Sequence, residues 1–138
     1  MEYLLTKEDH IKPNILLIIA AVYLALVGIG FMLAPSLMVF SALPPDVPGG
    51  VLAELRQYGG ALLGIAVLNW IARNAEPSKA KDGVFVGNTV GFALVALGGV
   101  ARQISGAFAI GWVFVAVNAL LAVAFLIVGQ ANKSDKAN

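Results

Sequence analysis

Four long stretches with almost no charge dominate this chain, and they leave it few ways to fold. The first runs from Asn14 to Ala34 without an Asp, Glu, Lys or Arg, matching the roughly 20 residues that cross the hydrocarbon of a bilayer as a helix. A signal peptide has an apolar core of about 7–15 residues, so this longer run reads as a span that is retained. The second stretch covers about 51–72, the third 83–101 and the fourth 107–129. Only 12% of the 138 residues are charged and 59% are hydrophobic, whereas soluble domains are about a quarter charged.

Between the spans, short polar segments act as stops. Pro44, Pro45, Asp46, Pro48, Gly49 and Gly50 form a connection that cannot continue a helix. Before it, residues 36–43 are apolar but too short to span, which suits a helical turn or two lying at the interface. Residues 73–82, with Glu76, Pro77, Lys79 and Lys81, form a polar loop, and Arg102, Gln103, Ser105 and Gly106 a tight turn. Connections this short join only neighbours. The expected fold is therefore all-α, a single membrane domain built as an antiparallel transmembrane four-helix bundle running up-down-up-down.

Orientation follows from the cations. Lys7, Lys12, Arg73, Lys79, Lys81, Lys133 and Lys136 flank one side, and Arg102 the other, with Arg56 just inside the second span. The positive-inside rule then puts both termini in the cytoplasm. Trp70 and Trp112 fall near opposite ends of their spans, where an interfacial aromatic belt or ordinary packing would place them.

Lipid offers no hydrophobic drive to press helices together, so small residues and interhelical hydrogen bonds must hold the bundle. Gly60 and Gly64 in the second span, and Gly83, Gly87 and Gly91 in the third, recur every four residues on one helix face. They are expected to pack against a neighbouring helix, either within the bundle or in a homodimer. Asn69 and Asn88 match in depth and are expected to bond each other. Asn118, near the midplane, needs a partner of its own.

One polar constellation carries chemical content. Glu54, Arg56, Gln57 and Tyr58 open the second span, and Arg102 and Gln103 close the third on the same side. A charge at the bilayer centre costs about 2.5–3.5 kcal/mol, less near the interface, so such groups tend to pair or face water. Arg56 points about 200° away from Glu54 on an ideal helix, which leaves Arg102 as the expected partner of Glu54. Either the arginines reach to headgroups as anchors, or the cluster binds an anionic head, a small anion or a partner loop.

The sequence excludes much else. There is no cysteine, hence no disulfide or iron–sulfur ligation. His10 is the sole histidine and sits in a charged N-terminal stretch, so no metal site is expected. A formal net charge of +1 gives none of the basic footprint of a nucleic-acid binder. No Gly-x-Ser-x-Gly elbow, Walker loop or His-Glu-x-x-His is present, and no catalytic residue is assigned.

Leu55-Arg-Gln-Tyr-Gly-Gly-Ala-Leu-Leu-Gly64, Val100-Ala-Arg-Gln-Ile-Ser-Gly106 and Gly28-x-Gly30 followed by Ala34-Pro35 resemble the small bacterial four-helix membrane proteins of the DoxX-like group. The resemblance implies a bundle in the bacterial cytoplasmic membrane, and marks Arg56, Gly59, Gly60 and Arg102. For DoxX itself it implies a membrane subunit of a thiosulfate–quinone oxidoreductase. Three functions follow as expectations: a non-catalytic protein whose outer pocket binds a lipid, quinone or partner subunit; a quinone-linked redox subunit; or an oligomeric small-solute transporter or channel. The last suffers from having only Asn118 as a polar group at mid-depth.

Overall fold

The computed structural model describes residues 12–39, 47–105 and 110–134. His10, the interfacial residues 40–43 and the C-terminal tail beyond 134 lie outside them. Five helices follow in order: α1 (Pro13–Leu33), α2 (Pro35–Met38), α3 (Gly49–Ala72), α4 (Lys79–Ile104) and α5 (Gly111–Ser134). Four of them, α1, α3, α4 and α5, are long and apolar enough to cross a membrane. The chain is an all-α, multi-pass membrane protein. Below, the proximal end is that of Pro13, Ala72 and Lys79, and the distal end that of Leu33, Gly49 and Ile104.

Local chemistry sets the helix limits. Pro13 occupies the first turn of α1, where its missing N–H costs nothing. The helix stops at Leu33 because the residue before Pro35 is driven out of the helical region. The helix α4 starts four residues earlier than the apolar pattern implies. Ser78 accepts a hydrogen bond from the Lys81 N–H at 3.2 Å, and Asp82 lies in the first turn, where the helix dipole favours an anion. Lys79 and Lys81 thus belong to helix rather than loop.

The spans do not pack with equal intimacy around a common axis. Helix α1 lies along α3 and α4 along α5, whereas α3 meets α4 and α1 meets α5 sparsely. The closest approach is between backbones: a Cβ on Gly59 would stand 2.7 Å from the Gly28 carbonyl oxygen and 2.9 Å from Phe31 Cβ, and one on Gly28 would stand 2.9 Å from the Gly59 oxygen. Only glycine permits that distance.

Within the bundle, the expected glycines are not the ones that make the close contact. Gly64, Gly83, Gly87 and Gly91 have nothing within 4 Å of an added Cβ, and Gly60 has only the Met32 sulfur at 4.0 Å. The four-residue spacing does identify a helix face, but the neighbour that α3 grips is α1, through Gly59, one position round the helix from Gly60. The α4 glycines border an opening instead.

The core sits toward the proximal end. Leu16, Leu17, Ala20 and Leu24 of α1 meet Ala66 and Ala72 of α3, Phe85 and Phe92 of α4, and Leu121, Ala122, Phe125 and Val128 of α5. Phe125, 0% exposed, lies with its ring centroid 5.8 Å from that of Phe92 and 5.4 Å from that of Phe85. Leu26, Leu33, Ile71, Leu97 and Leu120 point outward, as lipid-facing residues do.

Candidate functional site: a cleft between two helix pairs

Because the α1–α3 and α4–α5 pairs touch sparsely, a cavity of about 840 Å³ remains between them. Packed interiors hold few voids larger than a water molecule, and this one falls within the roughly 300–1,000 Å³ of small-molecule sites. Its α4 wall extends from Ala80 to Gln103, which at 1.5 Å per residue is about 34 Å, enough to traverse the bilayer hydrocarbon of about 30 Å. Gly83, Gly87, Gly91 and Gly98 make that wall smooth, and Leu62, Ile65 and Leu68 of α3 face it. All four of these glycines, with Ile65 and Leu68, are also exposed, so the cleft opens sideways between α3 and α4.

Near its proximal end the α3–α4 seam is closed by Asn69 and Asn88. The Asn69 amide nitrogen donates to Asn88 Oδ1 at 3.1 Å and the Asn88 nitrogen to Asn69 Oδ1 at 2.7 Å. Each also donates to a backbone carbonyl one turn back, of Ile65 and Val84 respectively. Every N–H and both oxygens of the pair are used, which is what a buried polar pair in hydrocarbon requires.

Asn118 finds its partner on α1. Its Nδ2 donates to the Tyr23 hydroxyl at 2.9 Å and to the Phe114 carbonyl at 2.8 Å. Sequence reasoning singled out Asn118 but passed over Tyr23. Depth could have found it, since Tyr23 falls midway along its span.

At the distal end the expected polar cluster is brought together only in part. Tyr58, Arg102 and Gln103 line the cavity. Tyr58 meets Phe31 edge-on, ring centroids 5.2 Å apart, and Gln103 is buried against Gly111. Arg102 donates from Nη2 to the Val39 carbonyl at 3.0 Å, tying the end of α4 to the turn after α2. Glu54, Arg56 and Gln57 are exposed and lie outside the cavity lining. The expected Glu54–Arg102 pair is not made, because α3 follows α1 and splays from α4 at this end; Arg102 takes a backbone carbonyl instead.

The two tryptophans are exposed at opposite ends, Trp70 on α3 and Trp112 on α5. Arg73 sits over the Trp70 ring at 3.6 Å and donates to the Trp70 carbonyl, an arrangement suited to a hydrocarbon–water boundary. Among the described residues no three His, Cys, Asp or Glu gather as metal ligands. Comparison with family models, with curated proteins and with solved structures finds no match for this chain.

Proposed function

We propose that this protein binds an amphipathic, lipid-like molecule in the cleft between its two helix pairs, with the polar head at Arg102, Tyr58 and Gln103 and the chain along the glycine wall of α4. The reading rests on one observation: a cavity as long as the hydrocarbon is thick, apolar over most of its length, open sideways to lipid and bearing its one guanidinium at the distal end. Arg102 spends one donor on Val39 out of the five a guanidinium carries, so it suits a phosphate, carboxylate or carbonyl head. The head then sits outside the cytoplasm, with both termini inside, a placement that the positive-inside bias of the cations supports.

A quinone is one amphiphile of this form. The resemblance of the arginine and glycine motifs to the DoxX-like group makes it the first to test, in a bacterial cytoplasmic membrane and beside a soluble redox partner. Binding is the role proposed for this chain.

Lipid extraction and mass spectrometry of the purified protein test the reading. A bound amphiphile should be retained by the wild type and lost from Gly91→Leu, which places a bulky side chain on the cleft wall at a position where an added Cβ meets nothing within 4 Å. Arg102→Ala should weaken retention of anionic or carbonyl-headed species selectively. Identical contents in all three proteins would refute it.

A further inference from the structure

The two polar pairs inside the bundle differ in how completely they are satisfied. Asn69 and Asn88 use both amide hydrogens and the oxygen of each side chain. In the other pair, both amide hydrogens of Asn118 are spent, on the Tyr23 oxygen and the Phe114 carbonyl. The bond to a carbonyl fixes which end of the amide is nitrogen, because a carbonyl only accepts. Tyr23 is thereby an acceptor with its own O–H still to give, and Asn118 Oδ1 is an acceptor without a donor among the described hydrogen bonds. Asn118 is 4% exposed, and both residues line the cleft. Gly111, the distal-end neighbour of Gln103, stands seven residues before Asn118 on α5, so the pair lies about 10 Å below the head region. At that depth an unmet donor and acceptor side by side are costly.

Resting on the proposed amphiphile-binding role, we infer that Tyr23 and Asn118 form a mid-depth subsite for a hydroxyl group carried part-way along the ligand's chain. A hydroxyl answers both positions together, its oxygen accepting from the Tyr23 O–H while its hydrogen is donated to Asn118 Oδ1. A carbonyl would meet Tyr23 alone, and a plain methylene chain would leave both unmet. The ligand class is therefore a single-chain amphiphile with a polar head and a secondary hydroxyl near mid-chain.

The test compares stearate with a mid-chain hydroxystearate, each titrated into the full-length protein in phosphatidylcholine nanodiscs and corrected for uptake by empty discs. The hydroxylated acid should bind about fivefold more tightly to the wild type, the net worth of two hydrogen bonds less the hydroxyl's own desolvation. Tyr23→Phe, which keeps the ring, and Asn118→Leu should each bring the ratio close to unity while stearate binding persists. Equal binding of the two acids by the wild type, as expected if a water molecule occupies the pair, would overturn the subsite and leave the cleft reading standing. A preference that survives in Tyr23→Phe would also overturn it. If neither acid binds, both readings fall.

Discussion

Replacing Gly59 by alanine puts a methyl carbon 2.7 Å from the Gly28 carbonyl oxygen, 2.9 Å from Phe31 Cβ and 3.0 Å from the Met32 nitrogen. Two of these are backbone atoms of the facing helix, so no side-chain rotation relieves the clash and α1 must move away from α3. Inserting a methyl group into a filled interface costs about 1–3 kcal/mol, against which better helix propensity returns at most about 1 kcal/mol. The expected net loss, about 1–2 kcal/mol, corresponds to roughly a tenfold shift in the unfolding equilibrium. Sodium dodecyl sulfate titration of the protein in dodecyl maltoside micelles, followed by helical circular dichroism, would read it. Gly28→Ala should behave alike, and the double variant should cost less than the sum, because both substitutions push apart one contact. Gly64→Ala and Gly87→Ala meet nothing within 4 Å and should range from neutral to about 1 kcal/mol more stable than wild type, the helix-propensity gain unopposed. Were Gly87→Ala as damaging as Gly59→Ala, the assignment of the tight seam to α1 and α3 would be wrong.

Other substitutions probe the remaining contacts, all by the same titration. Asn69→Leu leaves Asn88 without its amide partner and should destabilise by about 0.6–1.7 kcal/mol, the range of interhelical hydrogen bonds in membranes; adding Asn88→Leu should recover part of that. Phe125→Ala removes the ring between Phe85 and Phe92 and should lose less than the about 3–5 kcal/mol typical of aqueous cores, because no transfer from water is forfeited in lipid and only the packing is lost. Ser78→Ala removes the cap of α4 and should cost about 0.5–2 kcal/mol, with faster amide hydrogen exchange confined to the first turn of that helix.

The spans were legible because a run such as 14–34 without a charge has no alternative to a helix that satisfies its own backbone in lipid. Their ends were less so. Lys79, Lys81 and Asp82 read as loop by hydropathy, yet Ser78 caps them into α4, and hydropathy is blind to capping. Which helix faces which was not legible from the glycines. Spacing of four groups Gly83, Gly87 and Gly91 on one face equally well whether a neighbour or an open cleft lies opposite. The Asn69–Asn88 bond could be anticipated, since matched depth on consecutive antiparallel spans nearly fixes the pairing. Glu54 and Arg102 also match in depth, but the splay of α3 from α4, invisible in one sequence, keeps them apart.

The sparse join between the α1–α3 and α4–α5 pairs bears on how such a chain is assembled. Each hairpin completes its own seam using residues adjacent in the order of synthesis, so it can leave the insertion machinery as a finished half. The halves then meet through the Tyr23–Phe92 ring contact, Tyr23–Asn118 and the Asn69–Asn88 clasp. That junction is the sparsest join in the bundle, and a molecule lodged between the halves would act on it as mortar does between two courses of brick.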